Sequence, residues 1–345
     1  MIAGAASASP PEKARPAGEA GSLRGENPGT PRVTWLLPVK NGMPYIGEAL
    51  ASIAAQTYPN QEIIVWDNGS TDGTVEELAR WIPDRIPGRI VSDRPLELRA
   101  CRAALIEEAP TELCALMDAD DVCLPQRIEK QVAFLSAHPH IPLVGTGMQT
   151  IRADGTPQEL DWHPPSRHDD ILHFLLHGNP FGQYTILCRR SAILAIGSYQ
   201  AERPVEDYDL WLRIAARYET AILPERLVLR RKHGSSVTDL AGASGELSRA
   251  VAESFARHAP MLFGCPAEEA RLLRERRHPC AVACLLRIAG HLERRRPMGL
   301  LRRIRSQSFV HALRVLAGPR DLASKAAWLV LRAVQIPQSA HGGAR

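Results

Sequence analysis

In the N-terminal half, apolar positions fall into short unbroken runs, each followed by a stretch where they recur every three or four residues. Arg32 to Val39 is apolar and rich in β-favouring side chains, which predicts a first strand. Asn41-Gly42 turns the chain. Pro44 can then open a helix from about Tyr45 to Gln56, with Ile46, Leu50 and Ile53 on one face. Tyr58-Pro59-Asn60 breaks it, and Glu62 to Trp66 is a second apolar run. The same rhythm predicts helix 74–81, strand 89–92, helix 96–108 and a fourth strand from Leu113 to Met117. The order βαβαβαβ implies an α/β fold, a mainly parallel sheet covered by helices on both sides.

Beyond the fourth strand the pattern is less regular. Pro125 introduces a helix over 126–137, Ile141 to Thr146 is apolar, and 171–177 has a helical period. Gln183 to Arg189 reads as a strand and 191–196 as a short helix. Val205 to Ala216 starts acidic and becomes an amphipathic helix, and Val228 to His233 ends the globular part. From about Gly245 the period is helical, interrupted at Pro260, Pro266, Pro279, Pro297 and Pro319. The expected organisation is a disordered leader at 1–31, rich in Ala, Gly, Pro and Ser, then a globular domain at 32–240 and a helical region at 241–345.

Composition adds one asymmetry. The net charge of +4 conceals 16 Lys/Arg against 3 Asp/Glu from Arg271 to Arg345, a surplus of +13 that leaves residues 1–270 at −9. A basic helical tail with leucines and arginines mixed reads either as a solvated subdomain that its arginines keep soluble or as a surface that docks on anionic lipid, and docking is the expectation. Nucleic acid is not expected as a partner, because no recognition motif accompanies the charge. Seven cysteines without a C-x-x-C pair fit a reducing, cytoplasmic compartment, with peripheral association at the inner face of the membrane. Cys280 and Cys284, four apart, read as one packed helix face.

Chemistry concentrates in two acidic turns. The second strand ends at Asp67-Asn-Gly-Ser-Thr-Asp72-Gly73-Thr74, where two glycines permit tight backbone and Ser70, Thr71 and Asp72 can cap the next helix. The fourth ends at Asp118-Ala-Asp120-Asp121. If strand geometry continued through it, Asp118 and Asp120 would share a side, and their mutual repulsion would favour a cation between them. Carboxylate oxygens suit Mg²⁺ or Mn²⁺, particularly beside phosphate. Parallel topology places both turns at one sheet edge, where open α/β sheets bind ligands.

Several motifs in this order resemble inverting glycosyltransferases of family 2, which have the Rossmann-like GT-A fold. They are Leu37-Pro-Val-Lys-Asn-Gly42, Gln56-Thr-Tyr-Pro59, the Asp67 turn, and Met117-Asp-Ala-Asp-Asp121 with Pro125-Gln-Arg127. Glu206-Asp207-Tyr-Asp-Leu-Trp-Leu-Arg213 and Arg231-Lys-His233 complete the set. The resemblance runs from Val33 to about Thr238. It implies a GT-A domain with a helical extension, a nucleoside-diphosphate sugar as donor and a hydroxyl-bearing glycan or lipid-linked acceptor. Transfer would proceed with inversion, in surface polysaccharide or lipopolysaccharide synthesis. By the same resemblance Asp67 would bind the nucleobase, with Pro38, Val39 and Asn41 lining that pocket. Asp118 would face the ribose or sugar, and Asp120 would reach Mn²⁺ or Mg²⁺ on the diphosphate. Arg231 and His233 would lie near the diphosphate. Glu206 and Arg102 are carried over as substrate-binding residues, and Asp207 as the general base.

The chain departs from the pattern at three points. Arg102-Ala-Ala-Leu105 keeps only the first residue of Arg-Asn-x-Gly, Gln183-Tyr184 replaces His-Pro, and Asn68 replaces an acidic residue. Simple helix-start charge is the plain alternative for Glu206 and Asp207. Trp211 is expected in the core, whereas Trp162 in its proline-flanked loop is a candidate sugar platform. Two other functions are compatible with parts of the pattern. One is a nucleotide-sugar-binding or membrane-scaffold protein. The other is an aspartate-nucleophile phosphatase, because Asp118-x-Asp120-x-Val122 matches that motif, although there it follows the first strand.

Overall fold

Alternation with period two sorts the first strands between two layers of core. In the computed structural model, which describes residues 30–158, 163–201, 204–234, 246–304 and 306–317, the elements begin as predicted. They are β1 (Val33–Val39), α1 (Ile46–Ala54), β2 (Gln61–Asp67), α2 (Thr74–Trp81), β3 (Gly88–Val91), α3 (Leu98–Glu108) and β4 (Leu113–Leu116). Trp35, Leu37, Ile63, Val65 and Ala115 pack on one face against α1, α2 and helix α4 (Arg127–Ala137). Leu36, Ile64, Trp66, Cys114 and Leu116 face the other layer, which contains α3.

The chain continues through β5 (Val122–Cys123), β6 (Leu143–Arg152), β7 (Pro157–Gln158), α5 (His168–Leu175), β8 (Leu187–Arg189), α6 (Arg190–Ala195), α7 (Glu206–Arg217) and β9 (Thr220–Lys232). The sheet order is β3-β2-β1-β4-β8-β6-β9-β5, with β7 on β6. β1 to β4 are mutually parallel, as expected. β8 is antiparallel to both β4 and β6, so the second half of the sheet is mixed. Residues 183–185 form a 3₁₀ turn rather than the start of a strand. The final strand is longer than its apolar run suggested. Its exposed middle, Pro224 to Arg226, bulges against Thr146 to Met148 of β6, where the one-to-one pairing register shifts.

The C-terminal helices are α8 (Glu246–Phe263), α9 (Ala267–Arg274), α10 (Ala281–Arg295), α11 (Leu300–Ile304) and α12 (Gln307–Leu316). Pro260 lies inside α8 and does not break it, since the helix ends within one turn. Pro266 precedes α9, Pro279 precedes α10 and Pro297 separates α10 from α11; Pro319 lies outside the described residues. Phe255, Phe263, Leu285, Phe309 and Leu313 extend the layer that also holds Trp211 of α7. Asp209 of α7, 1% exposed, accepts a hydrogen bond from Arg213 Nε at 2.7 Å and lies 2.8 Å from His258 Nε2 of α8. A buried carboxylate needs such partners, and here they tie the first C-terminal helix to α7.

The tail's arginines are not all on the outside. Arg303, fully buried, pairs with Glu293 and Asp169, and Arg296 pairs with Glu219 at 2.8 Å and Asp169 at 3.5 Å. Part of the basic surplus therefore offsets the acidic body. Among the described residues no helix is long and apolar enough to cross a membrane.

Candidate active site

The register of the parallel strands sets the site. Val39 of β1 pairs with Asp67 of β2, and β4 ends beside them at Leu116, so three strand ends open at one sheet edge. The β1–α1 and β2–α2 loops are joined by hydrogen bonds that need both sequences. Asn41, with left-handed backbone (φ 54), accepts from Thr71 N at 2.9 Å and donates its own N–H to Ser70 Oγ at 2.8 Å. Met43 N donates to Asp72 Oδ2, and Thr74 N to Asp72 Oδ1, so Asp72 ties the β1–α1 loop to the first residue of α2, whose N-cap position is Gly73. Gly69 (φ 78) and Gly73 (φ 91) take the left-handed turns expected of them.

Asp67 is buried and accepts the N–H groups of Gly69 and Ser70 at 3.2 Å, so its carboxylate shapes the loop. Asn68 accepts Leu96 N at 2.9 Å, which ties the loop to the start of the α3 region. Pro38 lines a narrow cavity with Arg102, Asp118, Gln183 and Tyr199. Gln183 is buried and donates to the Tyr199 hydroxyl.

The strand does not continue through the second acidic turn. Residues 119–120 form a turn, and the two carboxylates meet different partners. Asp118 is reached by Arg102 Nη2 at 3.5 Å, whereas Asp120 Oδ2 lies 2.8 Å from His233 Nε2. The alternation argument for a shared side thus fails, yet the charges still feel each other. Burial, Asp120 and Glu206 push Asp118 above the usual carboxylate range, against the pull of Arg102. Asp121 is raised further by burial and by both neighbouring aspartates. It accepts the main-chain N–H of Arg231 at 2.8 Å, so it anchors β9 beneath the site and neither caps a helix nor faces the cleft. Arg127, wholly buried, donates to the carbonyls of Leu116 and Ile186 at 2.9 and 3.2 Å and holds the end of β4 against the 3₁₀ turn.

Arg102 is the hinge of the site. Its Nη1 donates to Glu206 Oε1 at 2.7 Å, so one guanidinium on α3 joins the end of β4 to the first turn of α7. Asp207 follows, with Oδ2 accepting from Asn179 Nδ2 at 3.0 Å. Burial and the neighbouring Glu206 push Asp207 up to about 6, while Arg102 pulls it back. Helix-start charge alone does not account for a carboxyl raised in this way and held by a side chain from another segment.

Arg231 is buried, and its donors are used inside the protein. Nε meets the Asp120 carbonyl at 3.1 Å, Nη1 the Ala153 carbonyl at 3.1 Å, and Nη2 the Glu48 carboxylate, with Tyr45 stacked 4.7 Å below. Tyr45 also packs against His233, 5.1 Å between ring centroids. Asn179, Glu48 and Tyr45 were not legible as site residues. Tyr45 and Glu48 come from the start of α1 and Asn179 from the loop after α5, and a lone Asn, Glu or Tyr on a loop or helix carries no local signature. Trp162, the candidate sugar platform, lies outside the described residues.

A Rossmann-like sheet with an acidic donor edge and a flanking carboxylate helix is the GT-A type of glycosyltransferase. The solved structure of S. aureus TarS 1-349 in complex with UDP-GlcNAc shares the fold. Its TM-score is 0.54 at 17% identity, over 76% of this chain and 82% of that one. Mannosyltransferase PcManGT from Pyrobaculum calidifontis in complex with GDP-Man and Mn²⁺ gives 0.53 at 19%, over 88% and 86%. The model of the family described as glycosyl transferase family 2 matches residues 34–195. The amylovoran biosynthesis glycosyltransferase AmsE of Erwinia amylovora is 31% identical over 56% of this chain and 72% of its own length. The chain belongs to glycosyl transferase family 2, and it is a glycosyltransferase.

Proposed function

We propose that this glycosyltransferase moves a sugar from a nucleoside-diphosphate donor to a hydroxyl of a glycan or lipid-linked acceptor, with inversion at the anomeric carbon. The bridge Asp118–Arg102–Glu206 carries this reading. It fixes the donor edge of the sheet to the helix that presents Asp207, so donor and base share one rigid frame. The complexes of TarS with UDP-GlcNAc and of PcManGT with GDP-Man support the donor class. AmsE, named for amylovoran biosynthesis, supports surface polysaccharide or lipopolysaccharide assembly as the setting.

Asp207 takes the proton of the acceptor hydroxyl as that oxygen attacks the anomeric carbon opposite the diphosphate. With its carboxyl at about 6, it is ionised at neutral pH and a better proton acceptor than an ordinary aspartate. Asn179 aims it, and Glu206, already paired to Arg102, contributes repulsion rather than a second base. Pro38, Val39, Asn41 and Asp67 border the nucleobase pocket, where Asp67 acts with the loop amides it already holds.

The donor set fits a divalent cation. Asp120 has a carboxylate oxygen at the cleft with His233 Nε2 beside it, and Asp118 is raised first by burial and then by the negative charge of Asp120 and Glu206, which a cation would relieve. Asp120, with Asp118 and His233 next to it, would hold Mn²⁺ or Mg²⁺, and the ion would supply positive charge against the leaving diphosphate. Arg231 supports this set from behind, by holding the Asp120 carbonyl, rather than by reaching the diphosphate.

A screen of nucleotide sugars for thermal stabilisation and donor hydrolysis, with and without Mn²⁺, tests the assignment. Stabilisation by one nucleoside-diphosphate sugar that requires the metal is expected, and the anomeric configuration of the product should be opposite to that of the donor. A phosphoryl group found on Asp118 during turnover would overturn it. The pH profile should show kcat/KM falling as pH drops through about 6, because protonation of Asp207 removes the base.

The basic surplus of the C-terminal region supports peripheral docking on anionic lipid. Flotation of the full chain with anionic vesicles, and not with neutral ones, is the expected result, and it should weaken as salt rises. Equal flotation with both would end this part of the proposal.

A further inference from the structure

Cys265 closes the loop between α8 and α9, after Gly264 turns through left-handed backbone (φ 61). Cys284 lies in the first turn of α10. Both are buried, 3% and 1% exposed, with their sulfurs 3.6 Å apart. Glu269 of α9 brings a carboxylate oxygen to the same point, and the three atoms lie within 4.8 Å of one another. That carboxylate is held from outside by Arg287 and faces His278 Nε2 at 3.6 Å. Packing explains two thiols touching in an apolar wall. Arg287 explains how that carboxylate is held, and the observation that carries a site is its convergence with both sulfurs on one point.

The sulfur spacing is that of an S–H···S contact and also lies close to what a shared metal ion requires. Tetrahedral zinc with Zn–S of about 2.3 Å places two sulfurs about 3.8 Å apart, whereas a disulfide brings them to about 2.05 Å. We propose that Cys265, Glu269 and Cys284 form a structural site for a thiophilic divalent cation, Zn²⁺ by ligand preference, separate from the oxygen-rich donor edge. On binding, each S–H bond breaks, its proton leaves to solvent and a sulfur–metal bond forms. Two thiolates, a carboxylate and Zn²⁺ leave a charge of −1, which Arg287 beside Glu269 offsets. His278 Nδ1 accepts the N–H of Cys280 at 3.0 Å, so its proton lies on Nε2, toward Glu269. Arg287 orients the carboxylate, with His278 Nε2 3.6 Å away, and the fourth tetrahedral position is left to solvent. The ion staples the α8–α9 loop to α10, and α8 in turn packs on α7, the helix that carries Asp207.

Cobalt titration of the full chain, stripped of metal and kept reduced, tests the site. A near-ultraviolet thiolate-to-cobalt charge-transfer band should saturate at one Co²⁺ per chain, disappear on adding Zn²⁺, and survive in Asp120→Asn. Cys265→Ser should abolish the band. Glu269→Gln, which leaves the thiols and the helix intact, should weaken cobalt binding at least about tenfold. The absence of a charge-transfer band in the folded protein would overturn the proposal, as would a band unchanged in Cys265→Ser. If Cys265→Ser does not fold, Glu269→Gln decides, and unchanged affinity there overturns the three-ligand set.

Discussion

Asp207→Asn is expected to lower kcat by about a thousandfold, the scale of a lost general base, while donor affinity stays unchanged. Asparagine preserves the shape and can keep the contact with Asn179, but it cannot accept the acceptor's proton. The same substitution should stabilise the fold at pH 8. The folded-state carboxyl sits at about 6, above the value of about 3.9 for an unperturbed aspartate. A group raised on folding contributes stability below its unfolded value, and that contribution is lost as pH rises through the folded value. At pH 8 the wild type holds a penalised anion and the variant does not, so the variant's Tm should be higher; at pH 5 the gap should shrink. Thermal melts at both pH values, beside transfer and donor-binding assays, separate this from simple unfolding. Transfer at the wild-type rate would remove Asp207 as the base.

Replacing Arg102 with methionine should be the most damaging change to stability within the site. Arg102 is 11% exposed at its side chain and Glu206 7%, so the substitution leaves Glu206 buried without its cation and Asp118 without its counter-charge. Removing one partner of a buried pair costs about 3–5 kcal/mol. The loss, measured by urea unfolding, should be larger at pH 8 than at pH 5, because acid neutralises the stranded carboxylates. Asp207 also loses the pull that Arg102 exerts on it. In whatever folded fraction remains, the acid limb of the rate profile should therefore move above about 6. Arg102→Lys should recover only part of either effect, since a point charge cannot bridge two carboxylates as a planar fork does. An Arg102→Met protein of wild-type stability would mean that the bridge is not a structural element of the site.

Local sequence determined the elements of the first half and their end-on chemistry. Runs with period two placed Trp35, Leu37, Ile63 and Val65 on one layer and Leu36, Ile64 and Trp66 on the other, because side-chain direction along a strand follows from backbone geometry alone. Parallel βαβ order then brought Asp67 and the Asp118 turn to one edge, and Trp211 fell in the core as its helical pattern required. Within the second turn, that local rule stopped at Leu116. The divergence of Asp118 toward Arg102 and Asp120 toward His233 depends on partners 16 and 113 residues away.

Only tertiary structure decided those partners, and with them the duties of Asp121, Asn179, Glu48 and Arg231. Counting charges gave a basic tail, but strand order and helix packing turned Arg296 and Arg303 inward to Asp169, where pairing offsets the cost of burial. Cys280 and Cys284 looked like neighbours on one helix face. In the fold Cys280 is exposed, and Cys284 meets Cys265 across a helix–helix boundary. Periodicity reports which way a side chain points from its own backbone. Which charge or sulfur it meets there depends on segments brought together by the closure of the whole sheet and its helices, and no local pattern encodes that.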